Sequence, residues 1–492
     1  MRALLTILAL AGVVRAAAAV YSSGYMHPDE PFQSLEQAHR IVYGYGIVPW
    51  EFLFGARFWF FPALYVPLLW LLRTLGLDDP ARGIVIIRSF NALCSLALVW
   101  GAYLLGRELK DEATGLIAPL LCAFWYLFVY YSVRTLPDTF VVNVIPFAFL
   151  LTGRSRGGSL RGRFLGGLLM GAAFFIRFQV AIFLLPLSVF LCVRRDMRGL
   201  LAAAGGFSVC LILQGAIDYL RWGSVVHSMG TYFAFHFTGL PAMLWGKEPW
   251  YFYLAQFWNE FYPISPLMVL LFIYGLYELP LIGGSALVFI GILSVLLHKE
   301  ARFLAPALPL LFVSIAAGLT GLSARIGSSG LKRFFATTVV VAILLLSCVK
   351  GLHFPWQQNS GYASALAYLG RRSDVRAVTV VGAYWWETGG YFYLHHNVPL
   401  EAFGTPDEYQ RYAPPRRTPD MLLEHAIRSA RTPEELMGQT GYHYHLGLKR
   451  GEEPNYLVIA RGLLTRDVRR RLRESGFRRI HLMGARAIYA RS

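Results

Sequence analysis

The sequence predicts an α-helical protein that crosses a membrane many times, and three observations carry that expectation. Of 492 residues, 56% are hydrophobic and 15% are charged, where a soluble domain carries about 25% charged residues. The mean hydropathy is +0.47. The apolar residues come in long runs, such as 85–105, 199–213 and 337–349, rather than in alternation. Runs near 20 residues match the hydrocarbon thickness, and in lipid only a helix satisfies its own backbone.

Short basic loops set the expected topology, because such loops face the cytoplasm. The clearest are 154–163, 194–198 and 325–333, with Arg107 and Lys110 as a weaker one. Helices are expected near 4–20, 84–106, 114–133, 138–153, 164–177, 178–193, 199–218, 264–279, 281–297, 303–320 and 334–350. That gives about 11 spans, with the N-terminus inside and every basic loop on the cytoplasmic side. The apolar stretch at 58–75 contains Pro62, Pro67 and Arg73 and is followed by Asp78-Asp79-Pro80. Counting it as a span would invert everything downstream, so it is read as a juxtamembrane or re-entrant helix on the outer face. The apolar stretch 3–20, interrupted by Arg15, is read as an uncleaved first helix.

Residues 1–350 are therefore the expected membrane domain, with a first outer loop and juxtamembrane helices at 21–83. Residues 351–492 change character to Arg-, Glu- and Pro-rich sequence with short apolar runs. They read as a small extracytoplasmic α/β domain, with strands at 377–381 and 456–460 and helices at 433–437 and 465–475.

The net charge of +17 is carried by arginines between apolar runs and in the C-terminal segment. It signals topology and a solvated surface, not nucleic-acid binding. Cys94, Cys122, Cys192, Cys210 and Cys348 all fall in apolar runs, as small core residues do. No disulfide framework or metal site is expected from them.

Polar residues that break into apolar sequence mark function. The first outer loop opens with Tyr25-Met26-His27-Pro28-Asp29-Glu30 and continues through Gln33 and Glu36. Asp29 suits the N-cap of a helix over 30–44. The same carboxylate suits a general base, which takes the proton of an attacking hydroxyl. Asp29 and Glu30 are not separable here; their side chains point about 100° apart on a helix. Next come Arg134-Thr135-Leu136-Pro137-Asp138, where Pro137 breaks a helix. Then His298-Lys299-Glu300-Ala301-Arg302 lie between two apolar runs. Such a cluster anchors helices at the interface, or it captures a phosphate through the arginine fork and the lysine point charge. Arg177, Asp218 and the aromatic stretch 232–253 with Trp250 share the expected outer face. Aromatic residues there form a membrane belt or stack on sugar rings.

His27-Pro28-Asp29-Glu30, with Phe32-Gln33, Glu36, His39 and Trp50-Glu51, resembles the signature of glycosyltransferase family 22. These are the mannosyltransferases of asparagine-linked glycan and GPI-anchor assembly, which use dolichyl-phosphate mannose. Arg134-Thr135-Leu136-Pro137 resembles the second motif of that family, and His298-Lys299-Glu300 with Arg302-Phe303 the third. This chain carries Asp138 where the family often has Asn, and Tyr219 after Asp218 where Ser is more usual. The resemblance implies a GT-C fold and an inverting, metal-independent transfer of mannose or a related hexose from a polyprenyl-phosphate carrier. No cofactor is implied. The implied acceptor is a lipid-linked or cell-envelope glycan. The implied roles are Asp29 or Glu30 as catalytic base and His298, Lys299, Arg302 and Arg134 on the donor phosphate. Substrate binding falls to His27, Gln33, Glu36, Asp138, Arg177, Asp218, Trp250 and Glu300.

Arginine far outnumbers lysine, and no Asn-X-Ser/Thr sequon occurs. This composition suits a bacterial inner-membrane protein with its site facing the periplasm; in a eukaryote the site would face the lumen of the endoplasmic reticulum. The competing class is a transporter or flippase of lipid-linked sugars. That class places polar residues near the bilayer midplane and uses repeats, whereas here the motifs fall at expected helix ends and no repeat is seen.

Overall fold

The computed structural model describes residues 2–153, 158–237, 241, 245–403 and 454–491. Residues 154–157 of the first basic loop and the helix expected at 433–437 lie outside the described residues. The chain folds as two compact units. One comprises residues 1–21, 89–225 and 246–355, and the other 22–88, 226–245 and 356–492. The segment that follows the first helix thus groups with the C-terminal segment.

Apolar runs dictate helices in the first unit, because a backbone in lipid has no other source of hydrogen bonds. Five helices among the described residues are long and apolar enough to cross a membrane. They are Arg2–Tyr21, Pro80–Leu109, Met197–Trp222, Ala301–Ala324 and Ser329–His353. Phe252–Phe261 and Ser265–Glu278 form a further pair, bent by 115°. Other expected spans are filled by shorter pieces. The stretch 114–133 is Glu112–Phe124 and Tyr126–Tyr131, with Trp125 in an extended conformation between them. The stretch 138–153 is Pro137–Phe140, the 3-10 turn Val141–Asn143 and Ile145–Gly153. Phe178–Phe183 is likewise a 3-10 turn that leads into Leu184–Val193. Hydropathy reports the apolar run and is blind to such changes of helical register.

Small residues let these helices touch, as expected where lipid tails are as apolar as leucine. A Cβ on Gly167 would run into the Ala203 carbonyl, and one on Gly206 into that of Phe164. The helices Leu160–Ile176 and Met197–Trp222 therefore pack backbone to backbone.

Arg15 is fully buried in the first helix. Its guanidinium donates to Ala123 O at 2.8 Å, Cys122 O at 3.1 Å and Ser95 Oγ at 2.9 Å. The carbonyls at the end of Glu112–Phe124 have no partner within their own helix. Arg15 supplies one, and its charge complements the negative end of that helix dipole.

Among the described residues the second unit holds a five-stranded sheet in the order β2-β1-β3-β5-β4. Its strands are β1 (Val378–Val381), β2 (Leu400–Phe403), β3 (Tyr456–Ala460), β4 (Phe477–Met483) and β5 (Arg486–Arg491). β1 pairs in parallel with β2 and β3, and β5 runs antiparallel to β3 and β4. Ile459, Leu464, Phe477, Ala487 and Tyr489 form a core on one face. The helix Arg466–Glu474 lies where it was expected. The stretch 58–75 is two short helices, Phe60–Ala63 and Val66–Thr74, and it belongs to this unit.

Candidate active site

The acidic loop folds by local chemistry. Pro31 opens a π-helical turn, Pro31–Leu35, whose start carries no side-chain cap. The helix Glu36–Tyr43 follows and ends at Gly44 in the left-handed conformation, φ 85°. Asp29 itself already lies in helical conformation ahead of the π-helical turn, rather than in the extended conformation expected of a cap. Its amide donates to His27 Nδ1 at 3.2 Å, and its Oδ1 lies 3.4 Å from the same nitrogen. One nitrogen cannot serve both: a neutral ring accepts from the amide, and a ring protonated there pairs with the carboxylate. The Asp29 side chain keeps 22% of its surface exposed. Glu30 is buried, and its Oε2 accepts from the Met26 amide at 2.7 Å.

Glu51 and Glu36 stand in the same unit. Glu51 accepts from Gln33 Nε2 at 2.9 Å. Burial, and then the charge of Asp29, push its carboxyl up to about 7, with Arg57 opposing. Glu36 accepts backbone N–H groups from Ile47 at 2.7 Å, Phe392 at 2.8 Å and Tyr391 at 3.1 Å. Burial raises it to about 7 against those three bonds. Glu36 therefore ties the loop to residues 391–392. His39 lies 3.4 Å from His395, ring nitrogen to ring nitrogen. Burial first, and His395 second, hold it down to about 3.

The first unit gathers the other predicted charges at breaks in its helices. Asp138 sits in the short helix Pro137–Phe140, Arg177 in the extended residue before Phe178–Phe183, and Arg302 in the 3-10 turn Ala301–Ala307. Arg177 Nε meets Asp138 Oδ1 at 2.7 Å, and Arg302 meets Asp138 Oδ2 at 3.8 Å. Arg302 also forks onto Glu300, with contacts of 2.6 Å and 3.1 Å. His298 Nε2 lies 3.2 Å from Glu300 Oε1. Both guanidinium groups lie over the Phe303 ring, at 4.9 Å and 5.5 Å. Arg134 is buried and stacks on Tyr130 at 4.2 Å. Lys299 donates to Glu248 O at 2.8 Å, and its burial lowers its affinity for the proton.

The structure thus joins Asp138, Arg177, Glu300, Arg302 and His298 in one network, and His27, Asp29, Gln33 and Glu51 in another neighbourhood. Asp218 instead takes the Gln214 amide at 2.7 Å, one turn back on its own helix. Trp250 is exposed and meets Tyr251 edge-on. Two groups were given no role from sequence. Glu51 is one, although an acid set among aromatics in the first loop is a readable signal. The other is Glu260, which accepts from Tyr126 OH at 2.9 Å and Trp125 Nε1 at 3.2 Å; no sequence motif points to it.

A profile of the Alg9-like mannosyltransferase family matches residues 5–395. GPI mannosyltransferase 3 of Yarrowia lipolytica is 26% identical over 402 residues, which cover 76% of this chain and 72% of that protein. GPI alpha-1,2-mannosyltransferase 3 of Homo sapiens is 29% identical over 308 residues, 60% of this chain and 54% of that protein. The chain therefore spans about half the length of the human relative. Among solved structures, ArnT from Cupriavidus metallidurans bound to undecaprenyl phosphate superposes with a TM-score of 0.65 at 14% identity. That likeness covers 99% of this chain and 98% of that one. The Archaeoglobus fulgidus oligosaccharyltransferase in complex with zinc and sulfate gives 0.51 at 12% identity, over 92% of this chain and 68% of that one. Both structures share the fold, a multi-pass GT-C arrangement with a C-terminal sheet region. The chain belongs to the Alg9-like mannosyltransferase family and is a membrane glycosyltransferase.

Proposed function

We propose that this enzyme moves a mannose, or a related hexose, from a polyprenyl-phosphate carrier to a glycolipid or cell-envelope glycan, with inversion at the anomeric carbon. The observation that carries the mechanism is the contrast between two adjacent carboxylates. Glu30 is buried against the backbone of its own loop. Asp29 is partly accessible and has an imidazole beside it. Asp29 is therefore the base that takes the proton of the acceptor hydroxyl.

The leaving phosphate gains charge in the transition state, and fixed cations lower that barrier. Arg134, Lys299 and Arg302 supply them, and His298 stands beside Glu300 as a further donor to the phosphate. Asp138 and Glu300 hold the Arg302 fork in place, so its geometry is set before the donor arrives. One phosphate leaves and protein cations receive it, so the reaction requires no metal. The names of the relatives support a mannosylated glycolipid acceptor and an α-1,2 linkage. The basic loops support a cytoplasmic N-terminus and chemistry on the opposite face, which is the periplasmic side in a bacterial inner membrane.

The test is transfer from synthetic polyprenyl-phosphate mannose in the presence of EDTA, with a panel of acceptors. Wild type should turn over, and Asp29→Asn should lose transfer while its melting midpoint is unchanged. Full activity in that variant would remove the base assignment. Loss of wild-type activity in EDTA, restored by a divalent cation, would remove the metal-independent mechanism.

A further inference from the structure

The segment 22–88 holds polar side chains that proton transfer and phosphate capture leave unused. Gln33 is 4% exposed, and its amide nitrogen is spent on Glu51. Its Oε1 is equally withdrawn from solvent and meets no donor among the described residues. Arg57 shows the same at Nε, while its guanidinium lies 5.5 Å from the centre of the Tyr232 ring. Glu51 is 8% exposed, and the charges acting on it are those of Asp29 and Arg57. Trp50, next to Glu51 in the chain, packs on Phe235 with ring centroids 4.4 Å apart.

Buried polar atoms without a protein partner are costly. They gather where a ligand completes their hydrogen bonds, in sites with apolar walls and a few convergent polar groups. Here the groups are an amide oxygen, a guanidinium and a carboxyl. A carboxyl whose protonated form is favoured by burial both donates and accepts, as each sugar hydroxyl does. Aromatic residues alongside offer faces for the apolar C–H side of a sugar ring.

We propose that Gln33, Glu51 and Arg57 form a hydroxyl-binding subsite that holds a hexose ring in the neighbourhood of Asp29. The proposal rests on the transferase reading above. The hexose is either the one transferred or the one at the acceptor end, since both present the same chemistry.

Full-length protein in lipid nanodiscs tests this with two readouts. The first is binding of methyl α-mannoside by saturation-transfer NMR, compared among wild type, Glu51→Ala, Glu51→Gln and Arg57→Met. The second is KM for polyprenyl-phosphate mannose and, separately, for a mannosyl-lipid acceptor. Glu51→Ala and Arg57→Met should raise one KM by about tenfold or more, lower kcat less, and weaken mannoside binding in step. Glu51→Gln should keep part of both, because its amide still donates and accepts. A change in donor KM alone identifies the transferred hexose, and a change in acceptor KM alone identifies the acceptor hexose. Unchanged binding and unchanged KM values in the variants overturn the subsite. Arg57 is only half-buried, so Arg57→Met keeps the test decisive where Glu51→Ala fails to fold. A wild type that transfers from no donor overturns the transferase reading instead. Mannoside binding then still decides the subsite: loss in the variants upholds it, and no binding by wild type overturns it.

Discussion

Asp138 receives Arg177 on one carboxylate oxygen at 2.7 Å and faces Arg302 with the other at 3.8 Å, with all three side chains almost wholly buried. One anion thus compensates two cations, and Glu300 compensates the far side of Arg302. An asparagine at position 138 would keep the shape and lose the charge.

Asp138→Asn should therefore destabilise the fold by about 3 kcal/mol or more, the cost of leaving buried charges unpaired. The loss is read as a lower melting midpoint in detergent. Asp138→Asn combined with Arg177→Met should recover part of it, because the pair couples. Strictly additive losses would mean that the two residues do not support one another.

Arg15→Leu should cost on the order of 3 kcal/mol, because two helix-end carbonyls and the Ser95 hydroxyl lose a buried donor. Arg15→Lys should recover little, since one ammonium cannot span the fork. Expression and melting of the variants check this, and a wild-type melt in Arg15→Leu would refute it.

Glu30 and Asp29 should separate cleanly. Glu30→Ala removes the acceptor of the Met26 amide, so it should lower the melting midpoint by about 1–3 kcal/mol of stability. The activity that survives should keep the wild-type pH profile. A pH profile displaced in Glu30→Ala and intact in Asp29→Asn would reverse the two roles.

Stability should fall on both sides of mildly acidic pH. Glu36 rises from 4.5 to about 7 on folding, so the stability it contributes is full below about 4.5 and is lost as pH climbs to about 7. His39 falls from 6.5 to about 3, so its contribution is full above about 6.5 and is lost as pH drops to about 3. Melting midpoints across that range should show the alkaline slope reduced in Glu36→Gln and the acid slope reduced in His39→Asn. A wild-type slope in either variant would clear that residue of the effect.

Much of the fold was legible because lipid leaves the backbone few options. Apolar runs located the helical segments, and short apolar runs located β1 and β3. β4 and β5 escaped notice because arginines at 478, 479, 486 and 491 interrupt any alternation. The candidate site was legible as residue types and illegible as partnerships. His298, Glu300 and Arg302 are neighbours in sequence, so the structure joins groups already read as one cluster. The meeting of Asp138 with Arg177 depends on two helix breaks that hydropathy does not register. Glu36 looked like a substrate ligand within its motif. Its backbone donors at 391 and 392 are visible only once the chain is folded.

That last joint has a consequence for the order in which the protein is made. Glu36 closes on Tyr391 across 355 positions. At about 5–20 residues per second, residue 391 reaches the nascent chain roughly twenty to seventy seconds after residue 36. Until then the carboxylate lacks two of its three backbone donors, and the loop that bears Asp29 is unfinished. Transfer activity should therefore be a late property of the growing polypeptide, which truncations ending on either side of Phe392 would check. A chain cut short before that point is expected to insert its helices and sit in the membrane inert.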